Sequence, residues 1–467
     1  MIFLNNEHYD DKFHDECGVF GINSFSGKDV SEKVYYGLYA LQHRGQESAG
    51  IASNQHGEII LKKSMGLVQE AFKEEDISDL KGDIAIGHVR YSTSGESNVI
   101  NAQPIVGKAR LGQMAIAHNG TLVNAGLLRE LLEDTGTLFQ TTIDSEVILH
   151  LIVRSGKKNL EQSLKETLNV IKGAFALTMT MGNMLIGIRD PYGIRPLVLG
   201  KTDDNYILAS ESCALDVLGA ELIRDINPGE MVIIENDQIR SIQYSEKTQQ
   251  RGCSFEYIYF ARPDSEIDGI SVHEARLKMG AKLYKEHPVE ADLVIGVPDS
   301  GIDAALGYAR ESGIPFDIGF TKNKYIGRAF IAPSQELREK AVNIKLNALR
   351  HVVRDKRVVI IDDSIVRGTT SRKLVETLRF AGAKEIHFRV SSPMVKHPCY
   401  FGIDTPYREH LIAAVKTSDE ICQEIGADSL HFISEEGLLE ALNHGNGYCT
   451  GCFSGVYPMS IPQDDQD

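Results

Sequence analysis

At 467 residues the chain is too long for one ordinary hydrophobic core, and two domains are expected. Its 42% apolar and 24% charged residues are those of a soluble globular protein, and no stretch approaches the roughly 18 uncharged apolar residues of a membrane span. With 49 Lys and Arg against 65 Asp and Glu, the formal charge of -16 excludes a general nucleic-acid or anionic-membrane surface, so an anionic substrate has to meet locally concentrated cations.

The first 16 residues, MIFLNNEHYDDKFHDE, are acidic and hold no apolar stretch long enough for a secretory signal. Seven cysteines without an export signal point to a reducing, cytoplasmic setting, where metal binding or catalysis is expected ahead of disulfides. From Cys17 to about residue 240 the chain reads as short β-type runs, such as Ile84-Ala85-Ile86-Gly87, Ala174 to Met179 and Met231 to Ile234, between a few helix-length stretches. The polar, aperiodic segment from Ser241 to Arg251 reads as a linker. Beyond about 255, Leu293 to Val297 and Val358 to Ile361 are buried-type strands, each followed by a polar turn and an amphipathic stretch, which predicts a parallel α/β sheet. The division expected is 17–250 and 251–467, after a leader of 1–16.

Cys17 stands in His14-Asp15-Glu16-Cys17-Gly18-Val19-Phe20-Gly21, at the edge of a strand-like run. Taken alone it reads as an inert buried thiol. Three later segments bring polar groups to strand ends: Gly87-His88-Val89-Arg90-Tyr91-Ser92-Thr93 a cation, Ala117-His118-Asn119-Gly120 an amide and a permissive glycine, and Thr142-Ile143-Asp144-Ser145-Glu146 carboxylates. Singly, an arginine after a strand is usually surface and Asn-Gly usually a turn. Together with Leu-Gln-His-Arg-Gly-Gln-Glu-Ser-Ala-Gly at 41 to 50, and in this order, the segments resemble the class II glutamine amidotransferases.

That resemblance implies an αββα sandwich of the N-terminal-nucleophile class and a mature chain beginning at Cys17, with the leader removed as a propeptide. The α-amino group of Cys17, with a pKa near ~8, then serves as the base for its own thiol. It further implies an oxyanion hole from Asn119 and the Gly120 N–H, with Arg90 holding the carboxylate of glutamine and Asp144 its amino group.

Val358-Val359-Ile360-Ile361-Asp362-Asp363-Ser364-Ile365-Val366-Arg367-Gly368-Thr369-Thr370-Ser371 delivers two carboxylates at the carboxyl end of a strand, then a Gly, Thr and Ser turn that opens a helix. Ligands of open parallel sheets bind at that end, and N–H groups with hydroxyls at a helix N-terminus suit phosphate. Adjacent carboxylates take ribose hydroxyls or help hold Mg2+. Without Gly-Thr-Thr-Ser the simpler reading is a strand followed by an N-cap. The run is similar to the signature of type I phosphoribosyltransferases for phosphoribosyl pyrophosphate. The resemblance implies substrate contacts from Ser364, Arg367, Gly368, Thr369 and Thr370. Val297-Pro298-Asp299-Ser300-Gly301 matches the pyrophosphate loop, with Asp299 on substrate and Ser300 beside Asp362 and Asp363 at the magnesium ion. Thr321 to Arg328, with Lys322, Lys324, Tyr325 and Arg328, corresponds to a lid over the diphosphate.

Cys449-Thr450-Gly451-Cys452 is a Cys-x-x-Cys pair, with Cys253 and Cys399 standing alone; such a pair by itself fits zinc, a redox dithiol or part of a cluster site. Their contexts, together with the leader, resemble the iron–sulfur branch of the glutamine phosphoribosylpyrophosphate amidotransferases, which implies a structural 4Fe-4S cluster on Cys253, Cys399, Cys449 and Cys452, with structural zinc as the alternative. Cys213 and Cys422 match no ligand motif.

Over Cys17 to about residue 458, the resemblance implies cleavage of glutamine through a thioester and attack of ammonia on C1 of phosphoribosyl pyrophosphate at the entry to purine synthesis. It also implies a homotetramer inhibited by purine nucleotides. A sugar-phosphate or asparagine synthase would lack the Asp-Asp-Ser to Gly-Thr-Thr run, and a non-enzymatic regulator would have no use for Cys17 and His-Asn-Gly.

Overall fold

The computed structural model describes residues 17–91, 97–157, 159–323, 346–405, 407–443 and 447–462. The leader and the lid residues Lys324, Tyr325 and Arg328 lie outside them.

The first half stacks two antiparallel sheets. In the seven-stranded one, Gly18–Ser24 lies between Asn205–Ala209 and Ile84–Arg90, so the strand that follows Cys17 is central. In the six-stranded one, Gly112–Leu122 pairs with Gly173–Met181 and with Ile105–Ala109. Side chains alternate across each strand, so successive residues enter different layers. Phe20 and Ile22 meet Val34 and Leu38 of the helix Ser31–Ala40. Phe175, Leu177 and Met179 meet Val147 and Ile148 of the helix Ser145–Arg154. The alternate positions Val19, Ala115, Ala117 and Ala176 face between the sheets. One face of each sheet packs on the other sheet and the opposite face on helices, giving the expected αββα sandwich.

The proposed linker begins inside structure: Ser241 and Ile242 belong to the edge strand Gln238–Gln243, opposite Val232 and Met231. An edge strand with one solvated face carries few apolar residues, which is why it reads as polar coil. The segment then runs along 191–194, with Gln249, Arg251 and Cys253 donating their N–H groups to the carbonyls of Pro191, Tyr192 and Ile194.

The second half is a four-stranded parallel sheet in the order Leu293–Gly296, Arg357–Asp362, Glu385–Val390, Ser429–Phe432. Val358 and Ile360 pack toward the helices Thr369–Ala381 and Ser418–Ile425, whereas Val359 and Ile361 pack toward Val272–Glu286 and Gly301–Ser312. Helices on both faces explain the continuous apolar runs. The two leading strands are neighbours in register, so the turns after Gly296 and Asp362 open side by side at one edge.

Candidate functional site

Cys17 is 9% exposed, and its Sγ donates to the Tyr91 carbonyl at 3.4 Å. Strand alternation turns Cys17, His88, Arg90 and Asn119 into the space between the sheets, since Val19 and Ala117 point there two residues away and Val89 points to the opposite side. Burial pushes the Cys17 thiol up to about 11, with the Tyr91 hydrogen bond and the Arg90 charge pulling it back and Asp144 and Glu47 adding to the rise. Arg90, Asp144 and Glu47 therefore all lie within electrostatic reach of the sulfur. The thiol is neutral near pH 7 and needs a base.

Asp144 precedes the helix Ser145–Arg154 and is itself buried. Its Oδ2 accepts from the Leu122 N–H at 2.9 Å, while Oδ1 accepts from Ser145 Oγ at 3.3 Å and faces His118 Nδ1 at 3.6 Å. Burial raises its pKa, but His118 and these hydrogen bonds win and hold it below the usual carboxylate range. Asp144 is anionic, with two oxygens still able to accept more. Asn119 is 1% exposed, and neither its Oδ1 nor its Nδ2 finds a hydrogen-bond partner among the described residues. A buried amide left so is destabilising by about 1–3 kcal/mol, an unusual arrangement unless a ligand completes it. Gly120 has φ of 134°, where a Cβ would stand 2.0 Å from the Ala174 carbonyl oxygen, so only glycine fits.

Not every motif residue reaches this space. Glu146 accepts from the N–H groups of Gln140 and Thr141 and from Thr141 Oγ1, which ties down the preceding turn. His118 braces Asp144 and Ser145.

In the second half, Ser300 Oγ donates to Asp363 Oδ2 across the two adjacent turns, and Ser364 Oγ donates to Asp363 Oδ1 at 2.8 Å. Asp362 Oδ1 accepts from the Asp363 N–H at 3.0 Å. Ser300, Asp362 and Asp363 are thus gathered into one oxygen-rich corner. Gly368 caps the helix Thr369–Ala381 with φ of 85° and no side-chain cap, so the positive end of that helix opens at this corner; Arg367 beside it is half-buried. Lys322 Nζ reaches the exposed Asp299 at 2.6 Å. The antiparallel pair Phe320–Lys322 and Leu346–Ala348 stands next to this corner's pyrophosphate-type loop through that contact.

The four cysteines singled out come together from three segments. Cys253 pairs in register with Cys449 in a short parallel bridge, Gly252–Cys253 against Tyr448–Cys449. Burial pushes Cys449 up to about 12 and raises Cys253 and Cys452, and in each case neighbouring thiols of this set add to the rise. The Cys399 sulfur accepts from the Phe401 N–H at 3.3 Å. Among the described residues no three His, Cys, Asp or Glu side chains form a group able to hold a single metal ion. Cys213 sits apart against Glu211, and Cys422 donates to the Ala427 carbonyl.

Residues 88–217 match the glutamine amidotransferase domain family and residues 274–404 the phosphoribosyl transferase domain family. The chain is 50% identical over 458 residues to the amidophosphoribosyltransferase of Bacillus subtilis, covering 97% of this chain and 96% of that protein. It is 50% identical over 454 residues to that of Archaeoglobus fulgidus, covering 96% and 99%. The solved B. subtilis glutamine phosphoribosylpyrophosphate amidotransferase, complexed with ADP and GMP, superposes with a TM-score of 0.91 at 49% identity over 96% of this chain and 99% of that one. The chain belongs to the amidophosphoribosyltransferase family.

An amidophosphoribosyltransferase takes nitrogen from glutamine and transfers it to phosphoribosyl pyrophosphate in purine biosynthesis, and the two matched domain families fall one in each half of the chain. No helix among the described residues is long and apolar enough to cross a membrane.

Three residues with no expected role stand out in this amidophosphoribosyltransferase. Arg44, Arg189 and Arg195 are nearly inaccessible, at 1%, 1% and 0% exposed, and all three meet acidic partners from the second half. Arg189 forms a bidentate pair with Asp268 at 2.7 and 2.9 Å, and Arg44 and Arg195 converge on Glu256. The signal available in the sequence was a charge beside apolar runs, as at the end of Met184–Arg189. A buried arginine is retained only with partners, and those partners lie far away along the chain.

Proposed function

We propose that residues 17–250 hydrolyse glutamine with Cys17 as nucleophile, and that residues 251–467 join the released ammonia to C1 of phosphoribosyl pyrophosphate. The observation that carries this is the Asn119 amide, buried and without a partner among the described residues, on the sheet facing Cys17, with the charges of Arg90 and Asp144 in reach of the sulfur. Arg90 takes the α-carboxylate of glutamine and Asp144 its α-ammonium, which sets the side-chain amide over the sulfur.

A thiol pushed to about 11 is a poor nucleophile near pH 7. Removal of a leader of residues 1–16 turns the Cys17 nitrogen from an amide into an amine, which then takes the thiol proton. The sulfur attacks the amide carbon, and the carbonyl pair moves to the oxygen, where Asn119 Nδ2 and the Gly120 N–H receive it. Collapse expels ammonia, which leaves with the proton held by the amine, and water cleaves the thioester to glutamate. The ammonia lone pair forms the new bond at C1 as the C1–O bond to pyrophosphate breaks.

At the acceptor site, Ser364, Arg367, Gly368, Thr369 and Thr370 hold the sugar phosphate, and Asp299 faces the pyrophosphate. The hydroxyl of Ser300 and the carboxylates of Asp362 and Asp363 form an all-oxygen donor set that suits Mg2+. The ion supplies neutralising charge on the pyrophosphate leaving group when bound. Cys253, Cys399, Cys449 and Cys452 lie within electrostatic reach of one another, and four thiols of this kind suit a 4Fe-4S cluster, with zinc as the alternative. The cluster ties the segment after the linker, the second domain and the C-terminal tail together, and neither half-reaction moves electrons.

Purine nucleotides act as feedback inhibitors in this reading, supported by the ADP- and GMP-bound B. subtilis relative. A cytoplasmic homotetramer completes it.

The test is pyrophosphate release from phosphoribosyl pyrophosphate, measured with glutamine and with an ammonium salt, on protein whose N-terminus is established by intact mass. Cys17→Ala loses the glutamine-dependent rate and keeps the ammonium-dependent one. Glutamine-dependent release by that variant would defeat the assignment.

A further inference from the structure

Glu256 is 1% exposed and comes from the second half, where it opens the short helical turn Glu256–Phe260. Its Oε2 accepts from Arg44 Nη1 at 2.9 Å and its Oε1 from Arg44 Nη2 at 2.8 Å, with Arg195 Nη1 3.6 Å from Oε1. Both arginines belong to the first half, and each also donates to a backbone carbonyl. Arg44 Nε donates to the Cys17 carbonyl at 3.1 Å. Arg195 Nε and Nη2 donate to the Phe401 carbonyl at 3.0 and 2.6 Å.

The next residue, Gly402, presses on the oxyanion strand. With φ of 112°, a Cβ at Gly402 would stand 3.1 Å from Gly120 Cα and 2.8 Å from Arg195 Nη2. One carboxylate therefore holds the Arg44 fork by two hydrogen bonds and lies in ion-pair range of Arg195; Arg44 holds the backbone of Cys17, and Arg195 holds the turn that abuts Gly120. Glu211 closes the clasp from the opposite direction: it accepts from Arg44 Nη1 at 2.6 Å and from the second half through the Arg262 N–H at 2.9 Å and Ser265 Oγ at 2.7 Å. Burial pulls the Arg44 pKa down, but Glu256 and Glu211 outweigh it, so the guanidinium stays charged.

We infer that Glu256 is a positioning residue for the glutaminase half-reaction, setting through Arg44 and Arg195 the placement of Cys17 relative to Gly120. The inference rests on the assignment of Cys17 and Gly120 proposed above. Bidentate guanidinium–carboxylate pairs shielded from water have little angular freedom, so they transmit position rather than merely charge. An oxyanion site is sensitive to that, because its donors must match an oxygen that exists only in the transition state. It follows that the second domain forms part of the glutaminase site, although it contributes no group that touches glutamine.

The test compares Glu256→Gln, Glu256→Asp and Gly402→Ala with wild type, measuring kcat and KM for glutamine and the ammonium-dependent rate on protein of established N-terminus. In Glu256→Gln the glutamine kcat falls about 10- to 100-fold, the expected effect of roughly 1 Å misplacement. The glutamine KM and the ammonium-dependent rate stay within about twofold, and Glu256→Asp, which keeps the charge, recovers part of kcat. Gly402→Ala, whose Cβ would press on both Arg195 Nη2 and Gly120 while leaving the Glu256 carboxylate in place, shows the same split and decides the matter if Glu256→Gln does not fold. Equal losses of both activities, or a glutamine kcat unchanged in the folded variant, overturn the inference. Cys17→Ala assayed alongside separates the two claims, since only failure of the nucleophile assignment leaves its glutamine-dependent rate intact.

Discussion

His88 donates its Nε2–H to the carbonyl of His118 at 3.0 Å, a hydrogen bond that joins the two sheets of the glutaminase half directly behind Arg90 and Asn119. Both residues are almost fully buried, at 0% and 1% exposed. A carbonyl only accepts, so this contact is formed by the neutral ring protonated on Nε2 as well as by the cation.

Burial lowers the His88 pKa from 6.5 to about 3, against the pull of the His118 carbonyl and with help from the Arg90 and His118 charges. Between these limits the unfolded chain binds a proton at this ring and the native chain does not, so stability is lost as pH falls below 6.5. The loss is roughly 1.4 kcal/mol per pH unit from this one group. Denaturant midpoints measured from pH 6.5 down to about pH 4.5 should therefore fall less steeply in His88→Gln than in wild type. Asp190, raised to about 6 mainly by burial, acts in the opposite sense and is common to both proteins. Parallel slopes would show that His88 does not titrate as described.

Asn119→Ala removes one of two proposed oxyanion donors and fills no space. The glutamine-dependent kcat should drop about 10²- to 10³-fold, with ammonium-dependent synthesis unchanged. Because the native amide has no partner among the described residues, the variant should be at least as stable as wild type. Thermal unfolding and steady-state kinetics on the same preparation check both halves of this statement.

Asp144→Asn keeps the volume and takes away the charge that faces the amino group of glutamine. A rise in the glutamine KM larger than the fall in kcat is expected, since the lost contact is made equally in ground and transition states. Asp144 also receives the Leu122 N–H at 2.9 Å, so a modest loss of stability accompanies it. An unchanged KM would remove Asp144 from the glutamine site.

Replacing Asp362 and Asp363 together by Asn should abolish both glutamine- and ammonium-dependent synthesis, while glutamine hydrolysis by Cys17 persists at its unstimulated level. Ser300→Ala removes the hydroxyl that reaches Asp363 and should raise the magnesium concentration needed for half-maximal rate. Magnesium titrations of pyrophosphate release read both effects.

Anaerobically purified protein should contain about four iron and four inorganic sulfide per chain, with visible absorption. One zinc per chain and a colourless protein would decide for the alternative ion. Cys452→Ser should lose the group and lower thermal stability more than it changes kcat of the folded fraction, because the buried thiols it would link come from three separate segments of the chain.

Much of the site was legible because its parts are local. A strand ending in Asp362-Asp363, followed by a glycine-led helix, places carboxylates and a helix N-terminus within about ten residues of chain, whatever the rest of the fold does. Strand alternation likewise puts Arg90, Asn119 and Cys17 on one face once the sheets are paired. The edge strand at 238–243 was read partly as linker because its polar outer face hides the period.

What the sequence by itself determined is therefore the chemistry and its order: a thiol, an amide with glycine, paired carboxylates and a phosphate turn, each written into a short run whose backbone geometry follows from its own residues. Only the tertiary structure decided which charges work as partners. Arg44 and Glu256 lie 212 residues apart, and Arg195 and Phe401 206 apart, so no periodicity links them. It likewise separated Glu146, which holds a turn, from Asp144, whose charge reaches the sulfur, and it drew four cysteines from three segments together. The physical reason is that burial without water makes an ion pair depend on three-dimensional enclosure, a property that packing confers and no local pattern encodes.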